Sequence, residues 1–261
     1  MVRQQLQVFW YLLVADFIVL FKGIGGELID TCIWISLSVF CNGYVMPQLG
    51  TSTKYGALLA LGQLVSSGIF LMYHSSSSLI SDFEQTKVAA YDFALPVAAW
   101  LVFFRRACAI TLKALLLSSI ILPLAKLILM SRLDLSHFSL PKFLLAFFLV
   151  NFFCGLGAIF LASVNDGSPY SSRVWVRFVF PLWFLGGSIF PYGAIVNAFP
   201  ILGKLLLLNP IVYATEVIKA ATLSSEASII PFSIAALVLF LYAWLIFFVG
   251  YYRLKKRFNL V

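Results

Sequence analysis

The sequence predicts an all-α polytopic membrane protein: six transmembrane helices, an N-terminal helix lying in the membrane interface, and a re-entrant helical segment between the fifth and sixth spans. Three observations predict it. The 261 residues are 62% hydrophobic and only 11% charged, against the ~45–50% apolar and ~25% charged of an ordinary soluble domain. The mean hydropathy is +1.01, too apolar for a water-facing surface and opposite to the polar composition of disordered chains. A span takes about 20 apolar residues, so this length holds roughly six or seven spans and leaves little chain for a soluble domain.

The elements follow in order. Residues 6–21 form an apolar run interrupted by Asp16 and closed by Lys22 and Gly23. With one cation ahead of it and no small-residue cleavage site behind, it is not a secretory leader. It reads as an interfacial helix over 1–23, with Trp10 and Tyr11 at headgroup level. The first span covers 29–46 and Pro47 ends it; the second covers 55–73 and the serine tract 75–78 closes it. A polar stretch runs from Ser81 to Asp92, bounded by Pro96, within a segment placed at 81–96. The third span starts after Arg105-Arg106 and reaches about Met130, carrying Lys113, Pro123 and Lys126. Pro141 suits the first turn of a fourth span that ends at Val164. Asn165-Asp166-Gly167-Ser168-Pro169 is a dense turn signal. The fifth span covers 174–190 and the sixth 230–252, followed at once by Arg253, Lys255, Lys256 and Arg257.

Charge sets the orientation. The net charge of +8 comes from basic residues at the ends of apolar runs, which points to membrane topology and away from nucleic acid. With six spans, the larger share of Lys and Arg falls inside when both termini are cytoplasmic, as expected for a bacterial inner-membrane protein.

Residues 191–229 are too apolar for a plain loop. Their most hydrophobic piece, 195–208, would reach roughly 21 Å as a helix, short of the ~30 Å hydrocarbon core. Pro200 and Gly203 interrupt it and Asn209-Pro210 ends it. Such a segment enters the outer leaflet, turns and returns, and broken backbone at membrane depth survives only against protein or a water-filled cavity.

Two stretches carry a family resemblance. Phe180-Pro181-Leu182-Trp183-Phe184-Leu185-Gly186-Gly187-Ser188-Ile189-Phe190-Pro191 resembles the end of the fifth span of ABC exporter permeases of the second type, where a small-residue patch precedes Phe-Pro. Phe199-Pro200, then Asn209-Pro210 and a short helix carrying Tyr213, Glu216 and Lys219, resemble that family's return from its re-entrant helices. The resemblance implies one transmembrane permease domain over 1–261. It places a coupling helix for a separate ABC ATPase subunit in the polar stretch, with Asp82, Phe83, Glu84, Thr86, Lys87 and Tyr91 as contacts, and a smaller contact at the 165–169 turn. ATP and Mg would be bound by that partner, since the chain has no phosphate-binding loop: Gly23-Ile24-Gly25-Gly26 follows no strand and lacks the lysine. A second copy of the chain would complete a homodimer in the lipid bilayer. Substrate would pass along a seam of the first, second and fifth spans. Trp183, Phe184 and Phe190 would wall it, and Gly186, Gly187 and Ser188 would allow close approach. Pro191, Asn209, Pro210, Tyr213 and Glu216 would form the outer exit.

Other chemistries find little in the sequence. An embedded enzyme needs a reactive constellation, but His74 and His137 sit at span ends and Asp166-Gly167 lacks the further residues of a lipid phosphotransferase. Cys32, Cys41, Cys108 and Cys154 have neither disulfide-framework nor metal-ligand spacing, so no catalytic or metal-binding residue is assigned. An ion-coupled secondary transporter would carry acidic residues in its middle spans, which have almost none. Lys113 is the one cation well inside a span, and Asp30 is a candidate partner. The stretch from Phe21 to Leu28 departs from the basic and Leu-Gly-x-x-Trp pattern of glycan exporters. The resemblance therefore implies outward export of an amphipathic or hydrophobic drug, lipid or lipid-linked glycan, tilted towards small molecules and lipids.

Overall fold

The computed structural model describes residues 2–84, 92–93, 97–165, 167, 171–223 and 228–258. Among them every regular element is helical. α1 (Val2–Phe40) continues through a π-turn (Cys41–Val45) and a last turn (Met46–Gln48). α2 is Thr53–Glu84, α3 Ala99–Ser119, α4 Ile121–Leu129 and α5 Leu140–Val164. α6 is Ser171–Ser188, containing π-helical stretches at Trp175–Val179 and Phe184–Ser188. α7 (Tyr192–Ala198), α8 (Pro200–Leu206), α9 (Pro210–Thr222) and α10 (Phe232–Arg257) follow. Five helical stretches are long and apolar enough to cross a membrane, or seven if two sharply bent pairs each count as one. The chain is a multi-pass α-helical membrane protein.

α5 sits at the centre. From Leu149 onward it is almost wholly buried, with apolar residues on every side, and it packs on α2, α3 and α10. Small residues let these neighbours close in. Gly155 faces Thr111 and the Ala107 carbonyl of α3, and Gly157 faces Met72 of α2. On α10, Gly250 lies against the backbone of Phe160, where an added Cβ would stand 2.7 Å from the Phe160 Cα. Backbone cannot swing aside as a side chain does, so Gly250→Leu will destabilise the fold by about 1–3 kcal/mol. A lowered thermal midpoint of the purified protein is the check.

Four expected boundaries move. No break separates an interfacial helix from the first span. Gly23, Gly25 and Gly26 cost the helix roughly 1 kcal/mol each, yet α1 runs through them because α3 braces it on both sides, by Arg105 on Asp16 at 2.9 Å and Lys113 on Glu27 at 2.6 Å. Nor does the serine tract close the second span: Ser76 and Ser77 both donate to the Tyr73 carbonyl, and the helix continues to Glu84. The third span begins at Ala99, two turns ahead of Arg106. It breaks at Ile120, where Pro123 supplies no N–H to the Ser119 carbonyl. Lastly, 195–208 is not one helix. Phe199–Pro200 splits it into α7 and α8, tied by the Tyr192 hydroxyl donating to the Gly203 carbonyl at 2.9 Å. The limb that returns through protein is α9, whose residues are nearly all buried.

Candidate functional site: a stapled corner and a charged end

α6 meets α7 at a 90° bend and α8 meets α9 at 94°. The first bend follows Gly187, whose φ of +85° lies in the left-handed region that suits glycine. Such a break frees backbone carbonyls, and α9 answers them one after another. The Asn209 side chain donates to the Leu182 carbonyl at 2.7 Å and, as α9's N-cap, accepts from the Ile211 N–H at 3.0 Å. Thr215 donates to the Gly186 carbonyl at 2.8 Å, and Lys219 reaches the Gly187 carbonyl at 3.4 Å. One turn back from Lys219, Glu216 pairs with it at 3.2 Å, both side chains only 2% exposed. The other Glu216 oxygen accepts from the Ile229 N–H at 2.8 Å, just ahead of α10. Asn209, Thr215, Lys219 and Glu216, at the cap of one short helix and along it, thus satisfy backbone groups of α6 and of the chain ahead of α10, as irregular backbone in apolar surroundings requires.

The residues expected to wall a pathway gather at this corner. Trp183 donates its indole N–H to Ser66 on α2 at 2.9 Å and packs 5.3 Å from the Phe70 ring. Phe184 lies 5.4 Å from Phe190, whose ring is exposed beyond the bend. Gly186 and Gly187 do give close approach, and the partner is α9: a Cβ on Gly186 would meet Ile211, and one on Gly187 would stand 2.7 Å from the Thr215 hydroxyl. Ser188 is buried, its hydroxyl without a hydrogen-bond partner among the described residues, and its carbonyl lies directly over Gly62 of α2. Tyr55 fastens the same edge by donating to the Ile189 carbonyl at 2.5 Å. Of the residues expected at an outer exit, Pro191 caps α7 and Pro210 opens α9. Asn209, Tyr213 and Glu216 are buried and committed to internal hydrogen bonds, Tyr213 donating to the Leu207 carbonyl at 2.8 Å.

The opposite end of the bundle is charged. Arg105 bridges Asp16 of α1 (2.9 Å) and Asp92 (2.6 Å). Arg106 bridges Asp92 (2.9 Å) and Asp82 of α2 (2.6 Å). Of the expected coupling residues, Asp82 therefore points inward to an ion pair. Phe83 stacks on Phe258 with ring centres 4.3 Å apart, and Glu84 pairs with Arg257 at 2.8 Å. Arg257 also donates to the carbonyl of Asn165, the residue capping α5. Thr86, Lys87 and Tyr91 lie outside the described residues. Lys113 pairs with Glu27 and not with Asp30, because Glu27 sits one turn nearer the charged end, level with Lys113 on the parallel α3.

Sequence reasoning missed Thr215 and Lys219 as staples, and Asp16, Asp92, Arg105 and Arg106 as one network. A usable signal existed for the second group: charged residues inside apolar runs need partners of opposite sign. The ABC-2 type transporter family model matches residues 7–223. No curated protein matches the chain.

Proposed function

We propose, on the premise that the chain belongs to the ABC-2 type transporter family, that this ABC permease exports an amphipathic or hydrophobic substrate using ATP hydrolysed by a separate subunit. The observation that carries the reading is the corner between α6 and α7. A span broken at Gly187, with its freed carbonyls held by a neighbouring half-helix, is a hinge at membrane depth beside a wall of aromatic rings. Backbone is broken there at the cost of several specific hydrogen bonds, which a purely structural span does not require.

In this reading the substrate is an amphipathic drug, a lipid or a lipid-linked glycan, moving outward along a seam between two copies of the chain. Trp183, Phe184 and Phe190 wall that seam, Gly186, Gly187 and Ser188 form the buried bend behind them, and the 191–210 stretch lies near its outer mouth. The ATPase, with its ATP and Mg, docks at the charged end on the stretch from Asp82 to Tyr91. Both termini then lie on the cytoplasmic side, in a bacterial inner membrane. The inward contacts of Asp82, Phe83 and Glu84 give them the role of rooting that stretch, leaving the residues between to meet the partner.

Proteoliposomes holding the chain and its nucleotide-binding subunit will accumulate substrate only when ATP is present on the ATPase side. Gly187→Val places a β-branched residue in the left-handed region, ~1–2 kcal/mol unfavourable, and drives its Cβ into Thr215. Transport will fall by about tenfold, the rate equivalent of ~1.4 kcal/mol, while the protein still inserts. Transport driven by an ion gradient without ATP, or normal export by Gly187→Val, overturns the reading.

A further inference from the structure

A groove runs between α1, α2 and α3. It consists of two adjoining clefts of about 660 and 530 Å³ that share Glu27, Leu71, His74 and Lys113. Asp16, Asp82 and Arg106 line its charged end, and Asp30, Trp34 and Phe70 its far end. Its charges are unequally committed. Arg106 is engaged by Asp82 and Asp92, Lys113 by Glu27, and Asp16 by Arg105. Asp30 is exposed and has no hydrogen bond or ion pair among the described residues. The groove thus offers one uncompensated carboxylate and no uncompensated cation.

Trp34 lies four residues after Asp30, on the same face of α1. Its ring begins a continuous aromatic series. Trp34 to Phe70 is 6.4 Å between ring centres, Phe70 to Trp183 5.3 Å, Trp183 to Phe180 5.7 Å, Phe180 to Phe184 5.6 Å, and Phe184 to Phe190 5.4 Å. The series crosses from α1 over α2 to α6 and ends at the exposed ring beyond the Gly187 bend. A carboxylate beside aromatic faces attracts a cation twice, by its charge and by the ring quadrupoles. The apolar groove walls favour a cation clothed in hydrocarbon. An anion would face Asp30 with every nearby cation already taken.

We propose that the groove is the entry site for an amphipathic organic cation, held between Asp30 and Trp34 and passed along the ring series to Phe190. The assignment rests on the reading of α6 as the pathway wall and names the substrate class that wall serves. Tetraphenylphosphonium is the probe and triphenylphosphine oxide its neutral counterpart. Both are measured by equilibrium binding to the full chain in lipid nanodiscs, with no ATPase present. Wild type will bind the cation at least about tenfold more tightly than the neutral compound. Asp30→Asn and Trp34→Ala will each weaken cation binding by about tenfold, and Asp30→Glu will restore it. Both positions are exposed, so unchanged thermal midpoints will show the variants folded. Equal cation binding by wild type and Asp30→Asn, or equal binding of the two compounds by wild type, overturns the proposal. Cation binding without ATP-driven transport sinks the export reading and leaves the site standing. ATP-driven export with no cation binding does the reverse.

Discussion

Lys219→Met will lower the stability of the protein by about 3–5 kcal/mol, the range measured when one partner of a buried ion pair is removed. The size follows from where the pair lies. Lys219 and Glu216 are each 2% exposed, one helical turn apart on α9, with the carboxylate also holding the Ile229 N–H. Methionine matches the lysine stem and leaves Glu216 charged in protein with its countercharge gone. Adding Glu216→Gln removes that charge and keeps an oxygen for Ile229, so the double variant will recover most of the loss. Thermal unfolding of the single and double variants in one detergent makes the comparison. A single variant as stable as wild type would show that water reaches the pair. The same double variant reports on transport, because Lys219 also reaches the Gly187 carbonyl at the bend. Restored stability with depressed transport would separate the lysine's contribution at the bend from its contribution to folding.

Arg105→Leu will have an effect of similar size at the other end. The side chain is almost fully buried and spans carboxylates on two elements, Asp16 at 2.9 Å and Asp92 at 2.6 Å. Asp92 keeps Arg106 when Arg105 is lost. Asp16 keeps no ion-pair partner among the described residues, so the damage concentrates on α1. The loss will be about 3–5 kcal/mol, and the N-terminal half of α1 will become open to protease before the bundle melts. Adding Asp16→Leu turns the orphaned carboxylate into apolar packing and will restore most of the stability. Arg105→Lys will not, because an ammonium lacks the planar fork that reaches two carboxylates at once. Protection of α1 in Arg105→Leu equal to wild type would mean that the Phe9–Phe104 stacking, rings 6.4 Å apart, suffices to hold the helix.

How much of this was legible in the sequence depends on the range of the interaction. α5 was readable to within a residue: Pro141 lies in its first turn, Val164 is its last helical position, and the turn signal opens at Asn165. The end of 195–208 at Asn209–Pro210 and the end of α6 before Pro191 were likewise visible, because proline and asparagine act through their own backbone, and the family resemblance supplied the helix that follows. The shortness of 195–208 pointed to chain that turns, and it does turn at Phe199–Pro200 and by 94° ahead of α9, but its apolar character misidentified the returning limb. α8 leaves Ile201 and Leu205 exposed, and the more polar α9 is the buried one. Polar residues looked like surface because their acceptors, the Leu182, Gly186 and Gly187 carbonyls, exist only once α6 breaks. The pairs of Asp16 with Arg105 and Glu27 with Lys113 join residues far apart in the chain. No local pattern fixes which carboxylate a given cation will take, and the same pairs explain why α1 stays helical through three glycines.

Arg106 carries one more implication. Its guanidinium holds Asp82 and Asp92, the residues on either side of the 83–91 stretch, at 2.6 and 2.9 Å. Bringing two chain positions together ordinarily costs loop-closure entropy. Here that cost is met within the folded subunit, so if the stretch docks a partner as proposed, its two ends are already gathered. The same clasp is a mechanical linkage. A pull on either end of the stretch is delivered to a single side chain on α3, and through Arg105 beside it to Asp16 on α1. Load arriving at one small surface would thereby be shared between two spans.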